Sequence, residues 1–162
     1  VEIAKLFGWK ALEDFWHSVQ LDYLKGIDPP RNDDPTDSRI LRMSKAAGAD
    51  LTPLIHFWGV HPEDPAALKE AMTRAGLRPS ARIYDRLVHY QSLIPMTNAD
   101  LAKHARTIYP RGIRDGQNPA FGEGWYSVWL KKYDESHGKA AQAALKGIIE
   151  RYFPGGRPAG RP

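Results

Sequence analysis

The 162-residue chain contains no cysteine. That absence excludes a disulfide scaffold, a thiolate zinc site and a cysteine nucleophile, and it leaves the compartment open, because many exported proteins also do without the residue. Long apolar runs are missing as well. No stretch approaches the roughly 20 residues of a membrane-spanning helix, and Glu2 and Lys5 stand where a signal peptide would lead into an apolar segment. Sustained apolar/polar alternation with β-branched enrichment is absent, so strands have little support. There is no Gly-rich phosphate loop, no G-x-S-x-G elbow, and no pair of histidines four apart with a glutamate between them. P-loop, α/β-hydrolase and helical zinc-peptidase chemistry therefore have no motif here. No repeat of fixed period is present, which disfavours a solenoid.

What the sequence does contain is helical patterning between capping residues. Leu12, Phe15, Trp16, Val19 and Tyr23 fall at steps of three and four, which predicts a helix over about residues 9 to 25 with one buried stripe. A Pro- and Asp-rich loop follows, and Asp34 with Pro35 predicts the start of a helix through Ile40, Met43 and Ala47 to a stop at Gly48. Asp50-Leu-Thr-Pro53 opens a short helix closed by Gly59, and Asp64-Pro65 opens one carrying Leu68 and Met72 to Gly76. Ser80 and Asn98 are placed to cap two more, the first with Ile83, Leu87, Tyr90 and Ile94 on one side. After a loop over about 110 to 122, two last helices are expected, one with Trp125, Val128, Trp129 and Tyr133 and one with Ala141, Leu145, Ile148 and Tyr152, separated by Gly138. The fold class expected is all-α, a bundle-like array of about eight short antiparallel helices. A chain of this length buries roughly two thirds of its unfolded surface. The expected organisation is one all-α domain over 1–153, or a 1–60 subdomain with a 61–153 extension, followed by a flexible Gly/Pro-rich tail over 154–162. The chain starts at Val1 with a helical pattern already under way, which reads as a piece of a longer protein.

Charge divides unevenly. Residues 1 to 81 hold 10 basic and 12 acidic side chains, and residues 82 to 162 hold 13 basic and 7 acidic. Arg78, Arg82 and Arg86 recur every four residues, and Lys103, Arg106, Arg111 and Arg114 follow. Guanidinium forks match phosphate, sulfate and carboxylate groups, so the candidate ligand-binding set is Arg82, Arg86, Arg106, Arg111 and Arg114, with Trp125 as an apolar platform. A solvated, salt-bridged face is the competing reading of the same residues. Core is the default for the tryptophans, with Trp58 and Trp125 less certain because each lies beside a glycine.

Three acid/His pairs lie four apart, Glu13/His17, Asp85/His89 and Asp100/His104, and the Asp28, Asp33, Asp34, Asp37 cluster offers oxygen ligands. Surface hydrogen bonds and helix caps account for these residues more simply. No metal ligand and no catalytic residue is assigned.

The stretch from Leu6 to Val60 carries a family resemblance. Phe7-Gly-Trp-Lys-Ala-Leu12, an Asp/Pro loop, Ser38-Arg-Ile-Leu-Arg-Met-Ser-Lys-Ala-Ala-Gly48 and Asp50-Leu-Thr-Pro-Leu-Ile-His-Phe-Trp-Gly-Val60 resemble the helical region after the active site in enhancin-type, mucin-degrading zinc metallopeptidases of gluzincin type. The resemblance covers about a third of the chain and does not include the H-E-x-x-H helix, so no catalytic residue is carried over. It implies a secreted or cell-surface enzyme acting on glycoproteins, with this part forming the helical wall of the substrate cleft. It also implies zinc in a preceding part of the same parent chain, no cofactor in this one, and the catalytic domain and glycoproteins or anionic glycans as partners. Two other readings stand beside it: a non-catalytic helical module binding protein or glycan, and a small basic nucleic-acid-binding protein, which the lack of a recognised binding module disfavours.

Overall fold

The computed structural model describes residues 1–27, 35–108 and 135–159, and of 104–108 the backbone alone. Among these residues the chain is all-α, as its periodicity predicts. The helices are α1 Glu2–Phe7, α2 Lys10–Leu24, α3 Thr36–Ala47, α4 Thr52–Phe57, α5 Pro65–Arg74, α6 Ala81–Leu93, α7 Asn98–Ile108 and α8 Glu135–Tyr152. The one extended contact among them is an isolated parallel bridge between Asp50 and Pro79. Contacts divide the chain into two compact units, Val1–Leu87 with Ile148–Pro162, and Val88–Gly147.

In the first unit local chemistry sets most of the helix ends. Gly48 takes a left-handed φ of 65°, which a β-carbon would oppose. This lets the Gly48 N–H reach Lys45 O and the Ala49 N–H reach Ser44 O, the paired bonds of a Schellman stop. The same pair of bonds closes α4 through Gly59 and Val60, and α5 through Gly76 and Leu77. The Asp64 carboxylate accepts the N–H groups of Ala66 and Ala67 and so caps α5. Ser80 Oγ accepts the Arg82 N–H at 3.2 Å.

Two sequence expectations are corrected, and a third falls outside the described residues. Asp34, expected to cap α3, lies outside the described residues, and the first α3 amide, that of Thr36, donates to Glu63 Oε1 at 2.8 Å. Asp37 returns the contact by accepting the Glu63 and Asp64 N–H groups at 2.9 and 2.8 Å. In the second unit Thr97, rather than Asn98, caps α7: its Oγ1 accepts the Asp100 N–H, and its hydroxyl donates to Asp100 Oδ2. Gly138 does not separate helices, because it is buried inside α8. The expected helix around Trp125, Val128, Trp129 and Tyr133, and the loop before it, lie outside the described residues.

The core of the first unit is formed by Leu51, Pro53 and Leu54 at the start of α4 and by Ile83 and Leu87 of α6, all with no or almost no exposure. Ile40, Leu68 and Met72 form a cluster between α3 and α5, flanked by Leu41, Ile55 and Leu77. Buried Ser44 accepts the Leu51 N–H at 3.1 Å, satisfying a backbone donor that water cannot reach. An Arg42–Asp22 ion pair at 2.6 Å joins α3 to α2.

The α2 stripe departs from the expected core. Ala11 and Val19 are buried, yet Trp9 is 65% exposed, Trp16 62%, Tyr23 68% and Leu24 79%. Periodicity places these aromatics on a helix correctly and cannot show whether a neighbour covers them.

Candidate functional site

The candidate site lies in the first unit, where the loop before α6 meets the end of α8. The Asp50 N–H donates to Arg78 O at 3.0 Å, which holds the segment leading into α6 beside the segment leading into α4. At the other end of the chain Phe153 is buried and meets Tyr84 edge to face, with ring centroids 5.3 Å apart. The Gly/Pro-rich segment beyond it is tied down by Arg157, whose Nε and Nη2 donate to the two Asp85 oxygens at 2.7 and 2.8 Å. This fork lowers the Asp85 carboxyl below its ordinary value, first through the hydrogen bond from Arg157.

Between these elements opens a cleft of about 780 Å³, within the range of small-molecule sites. Phe7 and Tyr152 give it aromatic wall, Gly48, Gly76, Gly155 and Gly156 give it bare backbone, and among the described residues its charge comes from Arg78 and Arg82. Tyr152 is held from behind. His56 Nδ1 lies 2.9 Å from Tyr152 Oη, and the rings meet nearly perpendicular at 5.6 Å. His61 packs edge-on against His56 at 4.6 Å, and the Arg151 guanidinium lies 5.6 Å from the Tyr152 ring centre. Burial, then the charges of His61 and Arg151, lower the His56 imidazole from its ordinary value, and burial raises the Tyr152 phenol. The neutral imidazole is thereby favoured, and in its Nε2–H tautomer Nδ1 accepts the phenol proton.

The expected binding residues do not all meet here. Arg82 lines the cleft and also donates to Leu6 O at 2.7 Å, joining α6 to the end of α1. Arg86 lies away from the cleft lining, with Nε 2.6 Å from Glu2 Oε1, another tie to α1. Arg111, Arg114 and Trp125, and the side chain of Arg106, lie outside the described residues. Of the acid/His pairs, Asp85 is taken by Arg157, Asp100 by Thr97, and the His104 side chain is outside the described residues. Asp37 binds backbone amides, while Asp28, Asp33 and Asp34 are outside the described residues. Among the described residues no three His, Asp or Glu side chains converge on a point where a metal could sit.

The His56–Tyr152 contact spans 96 residues and had no local sequence signal. Arg78 did have one, as the first member of the four-residue arginine row. No family model matches the chain, and neither a known protein nor a solved structure matches it.

Proposed function

We propose that this chain is the non-catalytic helical portion of a larger secreted or cell-surface zinc metallopeptidase of enhancin type, acting on glycoproteins, and that it shapes one wall of the substrate cleft. The observation that carries the reading is the α2 face. Trp9, Trp16 and Tyr23 recur at seven-residue intervals and are all more than half exposed. Large aromatics left exposed in a row along one helix are the kind of surface that a partner covers. A catalytic domain of the same parent chain is the cover that the Leu6–Val60 resemblance implies. The resembling residues also serve as structure rather than chemistry: Gly48 stops α3, Asp50 Oδ1 accepts the Thr52 N–H at 2.8 Å, and Pro53 sits in the first turn of α4. They form a helix–turn–helix corner, which suits a wall and not a catalytic centre.

Zinc in this proposal belongs to the rest of the parent chain. The residues described here do not fit it, since His56 is turned to Tyr152 and no third ligand converges. The test is expression of the full reading frame that contains this segment. The proposal expects an H-E-x-x-H helix upstream, about one zinc retained per chain, and cleavage of a mucin-type glycoprotein that the 162 residues alone do not cleave. A full-length product without that helix, or one that binds no zinc, would remove the reading.

A further inference from the structure

We infer that the cleft between the α6 start and the α8 end binds an oxyanion, a carboxylate or a sulfate ester carried on a sugar, through the guanidinium groups of Arg78 and Arg82. The oxyanion stands on the geometry of the cleft, and its carriage on a sugar rests on the proposed action on glycoproteins.

Charge marks the cleft for an anion. Among the described residues Arg78 and Arg82 are the only charged side chains on the cleft lining, and no aspartate or glutamate joins them there. Four other arginines of the same unit are paired with carboxylates: Arg42 with Asp22, Arg74 with Glu70, Arg86 with Glu2 and Arg157 with Asp85. Among the described residues no carboxylate pairs Arg78 or Arg82. Arg82 gives one N–H to the neutral carbonyl of Leu6, which fixes its direction without cancelling its charge. Two uncompensated guanidinium groups on a concave wall concentrate positive potential inside it.

The shape of the cleft suits the same ligand. Gly48, Gly76, Gly155 and Gly156 present no side chains, so a ligand can approach the backbone closely. Phe7 and Tyr152 supply faces on which a sugar ring can pack. A volume of about 780 Å³ exceeds the needs of a bare ion and suits an anionic group with an organic body.

The experiment uses the whole chain. Methyl α-sialoside, galactose 6-sulfate and neutral methyl galactoside are titrated separately while the backbone amides are followed by NMR at low and physiological salt. At least one acidic sugar is expected to shift the amides of Ala81, Gly155 and Gly156 and to bind more weakly as salt rises, while the neutral sugar leaves them unmoved. Which acidic sugar responds distinguishes carboxylate from sulfate. Arg78→Ala is expected to weaken binding about tenfold, the loss of a charge-assisted hydrogen bond, and Arg78→Lys to weaken it less, since the charge remains while the fork is lost. Arg74→Ala removes one charge outside the cleft and is expected to leave affinity unchanged. Equal responses to acidic and neutral sugars, shifts confined to other residues, or equal losses in Arg74→Ala and Arg78→Ala would overturn the site. These outcomes are separate from those for the metallopeptidase reading, which is decided on the parent product and its zinc.

Discussion

His56 and Tyr152 show how single residues here act over a long reach of sequence. Lowering of the His56 imidazole by burial, His61 and Arg151 means that the unfolded chain takes up a proton more readily than the folded one. Stability from the neutral ring is therefore complete above the ordinary histidine value of 6.5 and is lost as pH falls through the lower folded value. Urea midpoints followed across this window are expected to fall with pH in the wild type and to fall less steeply in His56→Gln. A parallel pair of curves would show that the imidazole does not drive the change. Tyr152→Phe deletes the hydroxyl and is expected to cost about 1 kcal/mol, measured by urea unfolding at neutral pH. Ser44→Ala leaves the buried Leu51 N–H without its acceptor and is expected to cost about 1 to 3 kcal/mol in the same measurement.

At the scale of elements, the ends of helices are the part most closely determined by nearby residues. Asp64→Ala removes the acceptor for two α5 amides and is expected to lower stability by about 1 kcal/mol. Gly48→Ala meets no atom within 4 Å, so its expected cost of about 1 to 2 kcal/mol comes from backbone conformation alone. Calorimetric unfolding of both variants checks the order, with Asp64→Asn expected to recover most of the loss. The α3–α5 clamp has a pH signature of its own. The Thr36 N–H on Glu63 lowers that carboxyl, so its contribution is present above the ordinary glutamate value of 4.5 and is lost as pH falls through the folded value.

The distance along the chain over which each residue acts decides how far its role is legible in the sequence. Gly48, Gly59, Gly76, Asp64 and Ser80 act on amides within a few residues of themselves, so their roles were legible in the sequence. The Thr97 cap was missed, because Asn98 beside it offers an equally good capping side chain. The Glu63–Thr36, Arg86–Glu2 and His56–Tyr152 contacts depend on which helices meet, and no local pattern encodes that. The cleft follows the same rule. Its arginine row could be seen in the sequence, but its division into Arg78 and Arg82 on the cleft lining and Arg86 on α1 required the packing of α6.

For the molecule as a whole, the decisive feature is a helix that carries a core-like pattern and, among the described residues, has no core on one side. Trp9, Trp16 and Tyr23 of the α2 region repeat every seven residues, and covering such a strip releases a large apolar area from water. The catalytic domain proposed to precede this segment is its expected cover. Hydroxyl-radical footprinting compares the isolated 162-residue chain with the full-length parent product, residue by residue, with exposed Trp58 as an internal reference outside the strip. Labelling of Trp9, Trp16 and Tyr23 is expected to be high in the isolated chain and to fall several-fold relative to Trp58 in the parent. Equal labelling of the three aromatics in both proteins would contradict the account, because the strip would then be solvent-facing in the complete molecule as well.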